Sequence, residues 1–422
     1  MSKRIVRTQA MHSHSALIAR PASRQFISVC SVVVLALTAF LMMTRSSPRA
    51  AGVFSPTVSF QSSTSRATAH PDLRITIDNS NSDENIRNMT LDMPDGMWGS
   101  MKSAPKCNYA DAGTAACDAS KIGTVTNYAK VDDSDAILTG GVYLTTAASA
   151  HIGDDPAGIA IVVPTKVGGV DLGKVIVHAR VMARYDNGVI LPTAAVGPVK
   201  GIRTVVEDIP QSHLDNSSNL SGRTVSFLLK KLVVDLRSNQ TGGNAPLLTN
   251  PSKCGSSSSF SASMTSWGGN PSVHSQPYFI DGCSTTKLEP SDISFTPTST
   301  DAGDLIGLDT VIEFPENQST MKSVSVAMPR FIATDTVALG GGADQCPAAS
   351  IVVGGSYSAF SPALCPPAAE VGTVSIETPL LADPVQGKVY LITKSPIPWL
   401  GIYVDPTTGP SNPAGSSGES FL

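Results

Sequence analysis

The chain has few charged residues. They make up 15% of its 422 residues, against roughly a quarter in an average globular protein. Coiled coils and helical bundles need many charged surface positions, so this composition excludes them. Glycine and proline are frequent instead, with 35 and 30 residues, and both interrupt helices and mark turns. The composition therefore predicts many short strands joined by turns.

The chain also lacks an excess of basic residues. Thirty Lys and Arg oppose 34 Asp and Glu, which leaves a net charge of -4, whereas a nonspecific nucleic-acid surface needs a positive excess. Nucleic acid is therefore not an expected partner. Sequence signatures of catalysis are missing as well, because no hydrolase elbow, zinc-protease helix or phosphate loop is present and the histidines are isolated. We predict no catalytic residue, no cofactor and no metal ligand, and hence a protein that is not an enzyme.

Two acidic loops deserve comparison with calcium sites. Residues 78–85 carry oxygen-bearing side chains at alternate positions, and residues 132–135 form a second acidic cluster. The first loop has neither the glycine at its sixth position nor the glutamate at its twelfth that a calcium-binding EF-hand loop requires. We interpret both as solvated turns, and calcium binding stays open.

Basic residues are concentrated at the amino terminus. Residues 1–24 contain five Lys or Arg and no acidic residue, and an apolar segment over residues 25–44 follows. This order predicts an export signal, with the stub in the cytoplasm and the remainder outside. Two alternatives stay open. Either residues 25–44 are an uncleaved transmembrane anchor, or the segment is a signal peptide that is removed and the protein is secreted.

Seven cysteines are present, and Cys30 lies in the apolar segment. The spacing of the other six fits neither a zinc site nor a C-x-x-C redox motif. Outside the cytoplasm an even set predicts three disulfides. The six form couples that are close in sequence: Cys107 with Cys117, Cys254 with Cys283, and Cys346 with Cys365.

An internal repeat selects this local pairing among the many that six cysteines allow. A Met-Pro pair, two cysteines, a Gly-Thr-Val tripeptide and a Tyr-Leu pair follow one another in residues 93–144 and again in residues 328–391. Because each copy contains its own couple of cysteines, the pairing that both copies can share joins neighbours.

The predicted fold is all-β, with tandem β-sandwich-like modules held by disulfides and one N-terminal transmembrane or signal helix before them. Within the central module, the run over residues 224–236 is where a helix competes, and its β-branched residues favour one bulged strand or two strands. The predicted parts are a basic cytoplasmic stub (1–24), the membrane or signal segment (25–44), a linker (45–65), a first β module (66–150), a central β module (151–290), a second copy of the first module (291–408) and a disordered tail (409–422).

The ordered motifs resemble a family of large exported actinobacterial β-repeat proteins of uncharacterised function. The resemblance covers roughly residues 66 to 404 and is carried by residues 246–255, Trp267, 281–283, 365–374 and 387–391. It implies tandem disulfide-stapled surface modules without an assigned catalytic residue. In that family a Gly-Lys-Val-Tyr-Leu unit is followed by an Asn-Pro-x-x-Cys-Gly unit, whereas a Gly/Ser/Pro-rich run follows it here. The second copy is therefore expected to be incomplete, either naturally or through a truncated reading frame.

Three functions remain open. The preferred one is a noncatalytic cell-envelope or extracellular protein with a structural, adhesive or surface-interaction role and an unidentified partner. The second is a carbohydrate- or peptidoglycan-binding module in which Trp98, Trp267 or Trp399 stacks on a sugar ring. We expect these tryptophans to be buried against a disulfide instead, most clearly Trp267, which lies between Cys254 and Cys283 in the sequence. The third is a hydrolase whose site is assembled from residues far apart in the sequence.

Overall fold

Nearly all regular structure in the computed structural model is β-strand, which confirms the predicted all-β class. The predicted stub (1–24), the membrane or signal segment (25–44) and the start of the linker lie outside the described residues. Within the described part of the chain, no helix has the length and apolar character needed to cross a membrane. The structure describes residues 53–132, 134–148, 155–167, 170–185, 199–214, 224–238, 245–254, 258–285, 289–315, 345–347, 351–354, 357–360, 364–379, 381, 383–393, 399–405 and 419–421.

Each strand lies antiparallel to its neighbours in a sheet. The strands up to residue 278 are β1 (Thr57–Ser62), β2 (Leu73–Asp78), β3 (Ile86–Asp92), β4 (Trp98–Gly99), β5 (Lys121–Val131), β6 (Ser134–Thr145), β7 (Ala157–Val167), β8 (Val170–Tyr185), β9 (Val199–Val206), β10 (Ser212–Leu214), β11 (Thr224–Leu236), β12 (Leu248–Thr249), β13 (Ser258–Ser266) and β14 (Pro271–Tyr278).

The remaining strands belong to smaller sheets, and a few 3-10 helices lie in the connections. These strands are β15 (Asp292–Pro297), β16 (Leu308–Glu313), β17 (Ile351–Gly354), β18 (Tyr357–Phe360), β19 (Glu370–Ile376), β20 (Val385–Ile392), β21 (Trp399–Asp405) and β22 (Glu419–Phe421). The 3-10 helices cover Tyr109–Asp111, Ala115–Ser120, Cys283–Thr285 and Pro367–Ala369.

One twelve-stranded sheet contains most of the strands before residue 279. Its order is β1-β2-β11-β5-β6-β7-β8-β9-β3-β13-β14, with β10 paired to β11. The structure differs here from the predicted division into modules, since β6 and β7 pair across residues 150 and 151, with Gly141 opposite Val162. Strand β1 also lies inside the predicted linker. Pairing with β7 satisfies the second edge of β6, which would otherwise expose unpaired backbone groups.

The long sheet curls until its two edge strands face each other, and side chains close the gap. Gln276 on β14 accepts a hydrogen bond from Phe60 N at 2.8 Å and donates one to Phe60 O at 2.7 Å. Beside this contact, Phe60 stacks on Phe260 with ring centroids 4.6 Å apart, and Tyr278 meets Phe260 edge-on at 4.9 Å. The main core therefore lies inside one curled sheet.

Alternating side chains place that core. Strand β13 alternates strictly between residues that face the interior and residues that face outward, as a half-buried strand should. Strand β11 is a single strand with a bulge between Leu229 and Lys231, which confirms the strand prediction for residues 224–236. The residue at the bulge, Lys230, extends its ammonium group to the carbonyls of Ser80 and Ser82.

The carboxyl-terminal part of the chain forms separate small sheets. Strands β15 and β16 make one two-stranded sheet, β17 and β18 another, and β19 to β22 a four-stranded sheet. Strand β22 lies within the predicted disordered tail but pairs with β21 through Ile402 and Phe421. Those residues of the tail are therefore ordered by backbone pairing.

The two sequence copies fold into the same local unit, which we call the stapled hairpin. It consists of a cysteine that pairs in parallel with the end of a strand, a 3-10 helix, and two antiparallel strands. In residues 107–146 these strands are β5 and β6, and in residues 345–393 they are β19 and β20. The bonds that fix the cysteines are Cys107 N to Leu144 O (3.1 Å), Thr146 N to Cys107 O (2.8 Å), Cys346 N to Leu391 O (2.8 Å) and Thr393 N to Cys346 O (2.9 Å).

The register of the two hairpins is also the same. A bulge follows Lys121, which lies opposite Tyr143, and Gly123 then faces Val142. The corresponding bulge in the second copy follows Glu370, and Gly372 then faces Val389. The internal repeat seen in the sequence is therefore a structural repeat.

The two copies differ at one edge. In the first, β11 pairs with the outer edge of β5. In the second, none of the residues that the structure describes pairs with the outer edge of β19. An added Cβ at Gly123 would lie 2.3 Å from the carbonyl oxygen of Asp235 on β11, whereas at Gly372 it would meet only the side chain of Val389, at 3.7 Å. The first glycine is required by a close backbone approach and the second is not.

We expect the substitution Gly123→Ala to lower the free energy of unfolding by about 2 kcal/mol, because the new Cβ must push β11 away. The matched substitution Gly372→Ala should change it by less than about 0.5 kcal/mol. Urea unfolding of both variants in the oxidised full chain, followed by intrinsic tryptophan fluorescence, measures the difference. Equal destabilisation by the two substitutions would contradict this account of the repeat.

Candidate functional site

A shallow cleft of about 420 Å³, lined by polar and apolar surface in similar amounts, lies beside the first residues of β11. We call it the β11 cleft. Side chains with hydrogen-bonding groups dominate its lining, and the aromatic ring of Phe227 adds an apolar element. The lining residues are Asp83, Asn85, Lys130, Gln211, Ser212, Ser226, Phe227 and Leu228.

One acidic loop of the sequence lines this cleft, and the other is hydrogen-bonded to a lining residue. The loop between β2 and β3 supplies Asp83 and Asn85 to the lining. The turn after β5 is held to β11, because Asp132 accepts hydrogen bonds from the amide and the hydroxyl of Ser226 at 2.9 and 3.1 Å. Strand β11 thus joins two loops that lie far apart in the chain.

The first acidic loop is folded on its own hydrogen bonds. Two hydrogen bonds from Ser80 hold the carboxylate of Asp78 and lower its pKa. Asn79 donates to the carbonyls of Glu84 and Leu229, both at 3.0 Å. No group of three or more His, Cys, Asp or Glu able to hold a metal ion occurs among the described residues.

Asn85 forms part of the support of the cleft. Its amide group donates to Phe227 O and accepts from Leu229 N, the latter at 2.9 Å. The side chain therefore pairs with β11 as the backbone of a neighbouring strand would. This leaves Asp83, Lys130 and Gln211 as the cleft side chains best able to contact a polar ligand.

Trp267 lies close to the cleft. Its backbone N donates to Asn85 O at 3.0 Å, and its indole N–H donates to Ile209 O at 3.0 Å. The guanidinium of Arg87 lies over one face of the ring, 4.8 Å from the centroid. The residue remains 38% exposed, and an aromatic face beside polar groups is a surface on which a sugar ring can stack.

The expected burial of Trp267 against a disulfide is wrong. Ser266 is the last residue of β13 and faces the interior, so the next side chain faces outward. The cysteines Cys254 and Cys283 instead pack against the main core. Of the other two tryptophans, Trp98 is half-buried, and the side chain of Trp399 lies outside the described residues.

The three disulfides have the pairing that the repeat predicts. Cys107 is bonded to Cys117, Cys254 to Cys283, and Cys346 to Cys365. The first and third close the stapled hairpins. The second holds the segment before the 3-10 helix Cys283–Thr285, where Asp281 forms a parallel bridge with Arg66. Each bond therefore fixes a segment that touches a sheet by only a few backbone contacts.

The loop inside the first stapled hairpin covers the outer face of β7 and β8. Tyr109 stacks on His178 of β8 with ring centroids 3.8 Å apart, and Ala112 packs against Ala160 and Val162 of β7. Burial lowers the pKa of His178 below its usual value of 6.5. The neutral imidazole is therefore the form that this packing favours.

The lowered pKa of His178 predicts a component of stability that depends on pH. The unfolded chain binds the proton more readily than the folded chain, so this component is fully present above about pH 6.5 and decreases as the pH falls toward the folded pKa. His178→Phe keeps an aromatic partner for Tyr109 and should remove the component. Urea midpoints of wild type and variant between about pH 8 and about pH 5 measure it. Parallel pH profiles for the two proteins would show that His178 does not contribute.

Most of the cleft was not identified from the sequence. Lys130, Gln211 and Ser226 come from three segments that only the strand order brings together. The available signal was the acidic residue pair Asp83 and Glu84, but nothing in the sequence linked it to Trp267. In the structure, the carboxylate of Glu84 accepts hydrogen bonds from Asn270, close to that tryptophan.

Comparisons with models of protein families, with curated proteins and with solved structures found no match to this chain. The resemblance to exported actinobacterial β-repeat proteins therefore stays a prediction.

Proposed function

We propose that this chain is a noncatalytic exported protein of the cell envelope or the extracellular medium, whose tandem β-sandwich-like modules serve adhesion, assembly or surface interaction. The observation that carries the proposal is the stapled hairpin, which is built twice in the same register, each time with its own disulfide. Repeated units that share a register are typical of modular surface proteins. Disulfides of this kind persist in oxidising compartments outside the cytosol.

Exposed apolar side chains support a role in surface interaction. Strands β15 and β16 form a two-stranded sheet that leaves Ile293, Phe295 and Val311 exposed to solvent. A hairpin of two strands is marginally stable in water without a partner surface, and exposed apolar groups mark contact sites. This hairpin is therefore a surface through which the protein would contact an envelope component.

The β11 cleft supports a noncatalytic role through its chemistry. Asp83 is the one carboxylate and Lys130 the one ammonium group among its lining residues. General acid–base hydrolysis needs two carboxylates, or a histidine beside a nucleophile, within reach of the reacting bond. The cleft is better suited to holding polar groups than to breaking bonds.

The proposal predicts that the disulfide-bonded part of the chain is found outside the cytosol. In cells that produce the full chain, a protease added to intact cells should release peptides from residues 66–408 and spare residues 1–24. The purified oxidised chain should sediment with isolated cell envelopes, and reduction of the three disulfides should lower the bound fraction severalfold. The mass of the mature amino terminus then separates a cleaved signal from an anchor in residues 25–44.

The control for this experiment is the variant with both Cys107→Ser and Cys117→Ser, which removes one staple and leaves the other two disulfides. Its binding should lie between that of the oxidised and the reduced chain. Two results would overturn the proposal. One is recovery of the full chain in the cytosol with free thiols, and the other is an envelope-bound fraction that does not change when the disulfides are reduced.

Binding of carbohydrate or peptidoglycan is the second candidate function, and the exposed ring of Trp267 beside the β11 cleft favours it. A sugar stacked on that ring would place its hydroxyl groups near side chains that donate and accept hydrogen bonds. Since Arg87 covers one face of the indole, the opposite face is the one available for stacking.

We expect Trp267→Leu to abolish any saturable binding of soluble peptidoglycan fragments by the full chain, measured by isothermal titration calorimetry. The matched control is Phe279→Leu, because Phe279 is also an exposed aromatic residue, whereas the hydrogen bonds to Asn85 O and Ile209 O that hold Trp267 near the cleft do not involve it. If the wild-type chain binds no fragment, or if both variants lose binding equally, the cleft is not a carbohydrate site.

A further inference from the structure

We propose that the outer edge of β19 is a docking site for an extended apolar segment of another polypeptide, which adds to the sheet antiparallel to β19. The segment would occupy the place that β11 occupies beside β5 in the first stapled hairpin. This inference deepens the proposed surface-interaction function and rests on it for the setting in which the partner is met. The geometry of the edge does not depend on that function.

The two stapled hairpins are equivalent in their bulge and register. Both begin with a cysteine in a parallel bridge. In both, a bulge near the start of the first strand is followed by a glycine, Gly123 in β5 and Gly372 in β19. The residues of β5 therefore have defined counterparts in β19. Gly123 corresponds to Gly372, and Val125 corresponds to Val374.

Strand β19 is more exposed than its counterpart β5. Ile122 on β5 is 1% exposed, and its counterpart Val371 on β19 is 38% exposed. The same position thus belongs to the core in one copy and to the surface in the other. A docked segment would remove this aliphatic side chain from water, which favours binding.

Gly123 and Gly372 differ in the space around them. In the first copy a side chain at Gly123 would collide with Asp235 O, at 2.3 Å, and would also meet Leu236 at 3.2 Å. At Gly372 nothing but the side chain of Val389 lies within 4 Å of an added Cβ. A glycine at this position leaves room for a neighbouring backbone, and the described structure places no backbone there.

The sequence of β19 lacks the residues that usually protect a sheet edge against pairing. Sheet edges are commonly protected against pairing by lysine, proline or a charge that faces inward. Residues 371–375 of β19 contain no charged residue and no proline. The acidic residue at the start of the strand, Glu370, is engaged by Lys388 at 2.7 Å.

The pairing of β11 with β5 indicates the chemistry of the segment that would fit β19. Strand β11 places Leu236 opposite Gly123 and Val234 opposite Val125, while Asp235 between them faces outward and pairs with Arg74 at 2.6 Å. A segment that fits β19 should likewise alternate branched apolar and polar residues, with a branched apolar residue opposite Gly372. Such β-strand addition draws affinity from the backbone and specificity from the alternate side chains. Strand β11 of a second copy is already paired on both edges and is not available to dock, and the proposal therefore commits to a segment of a different polypeptide.

The probe that tests this inference is a fluorescein-labelled peptide with the sequence of residues 224–236, capped at both ends. Fluorescence anisotropy with the oxidised full chain should show saturable binding. Gly372→Val should weaken the binding by about tenfold or more, because the added side chain occupies the path of the docked backbone. The substitution should leave the chain folded, since the space around Gly372 is open. The near-ultraviolet circular dichroism spectrum checks the fold.

Two controls separate edge pairing from adventitious apolar binding. Thr139→Val adds an apolar side chain to an exposed position of β6 and should leave the affinity unchanged. A peptide carrying Val234→Pro should also bind about tenfold more weakly, because proline cannot donate a backbone hydrogen bond and fits poorly within a sheet. The peptide variant does not depend on the folding of any protein variant.

Three results would overturn the inference. They are absence of binding to the folded wild-type chain, binding that is indifferent to Gly372→Val, and self-association of the chain that is lost in Gly372→Val and excludes the peptide. The last result would assign the edge to a second copy. If the peptide binds as expected but the chain is found in the cytosol, the proposed function fails and the docking edge stands.

Discussion

The stapled hairpin depends on a disulfide that holds one cysteine against the end of a strand. A parallel bridge of a single residue makes two backbone hydrogen bonds, which contribute about 1–3 kcal/mol in total. Ordering the connecting loop costs more than that. The disulfide offsets the cost because it restricts the same loop in the unfolded chain. Oxidation therefore makes Cys107 part of the sheet and lets Tyr109 cover His178 on the outer face.

A second constraint is the protection of the sheet edges, because a long open sheet exposes rows of unpaired backbone groups. The twelve-stranded sheet solves this by curling until β1 and β14 meet. Its strands do not pair directly at the seam. The amide of Gln276 replaces the missing backbone contacts to Phe60, and Phe260 and Tyr278 fill the interior behind it. Asn85 acts in the same way on β11.

Local patterns predicted the strands, and long-range pairing escaped them. Alternation in residues 258–266 and β-branched residues in 224–236 report the period of a strand within one segment. The cysteine pairing followed from the repeat. The pairing of β2 with β11, about 150 residues away, depends on the twist and closure of the whole sheet, which no local pattern encodes. The β11 cleft was missed for the same reason, and Trp267 shows that proximity to Cys283 in sequence is not contact.

The two hairpins together show what a strand edge requires. In the first copy, β11 covers β5, buries Ile122 and comes so close to Gly123 that no larger residue fits. In the second, the same fold exposes Val371 and leaves Gly372 without a steric reason among the described residues. The staple fixes the two strands of the hairpin in both copies, β5 with β6 and β19 with β20, although the described residues supply an outer neighbour only in the first. Among the described residues the second hairpin is closed by its disulfide and unpaired along the outer edge of β19, and an unpaired edge of this kind is what the proposed addition of a strand requires.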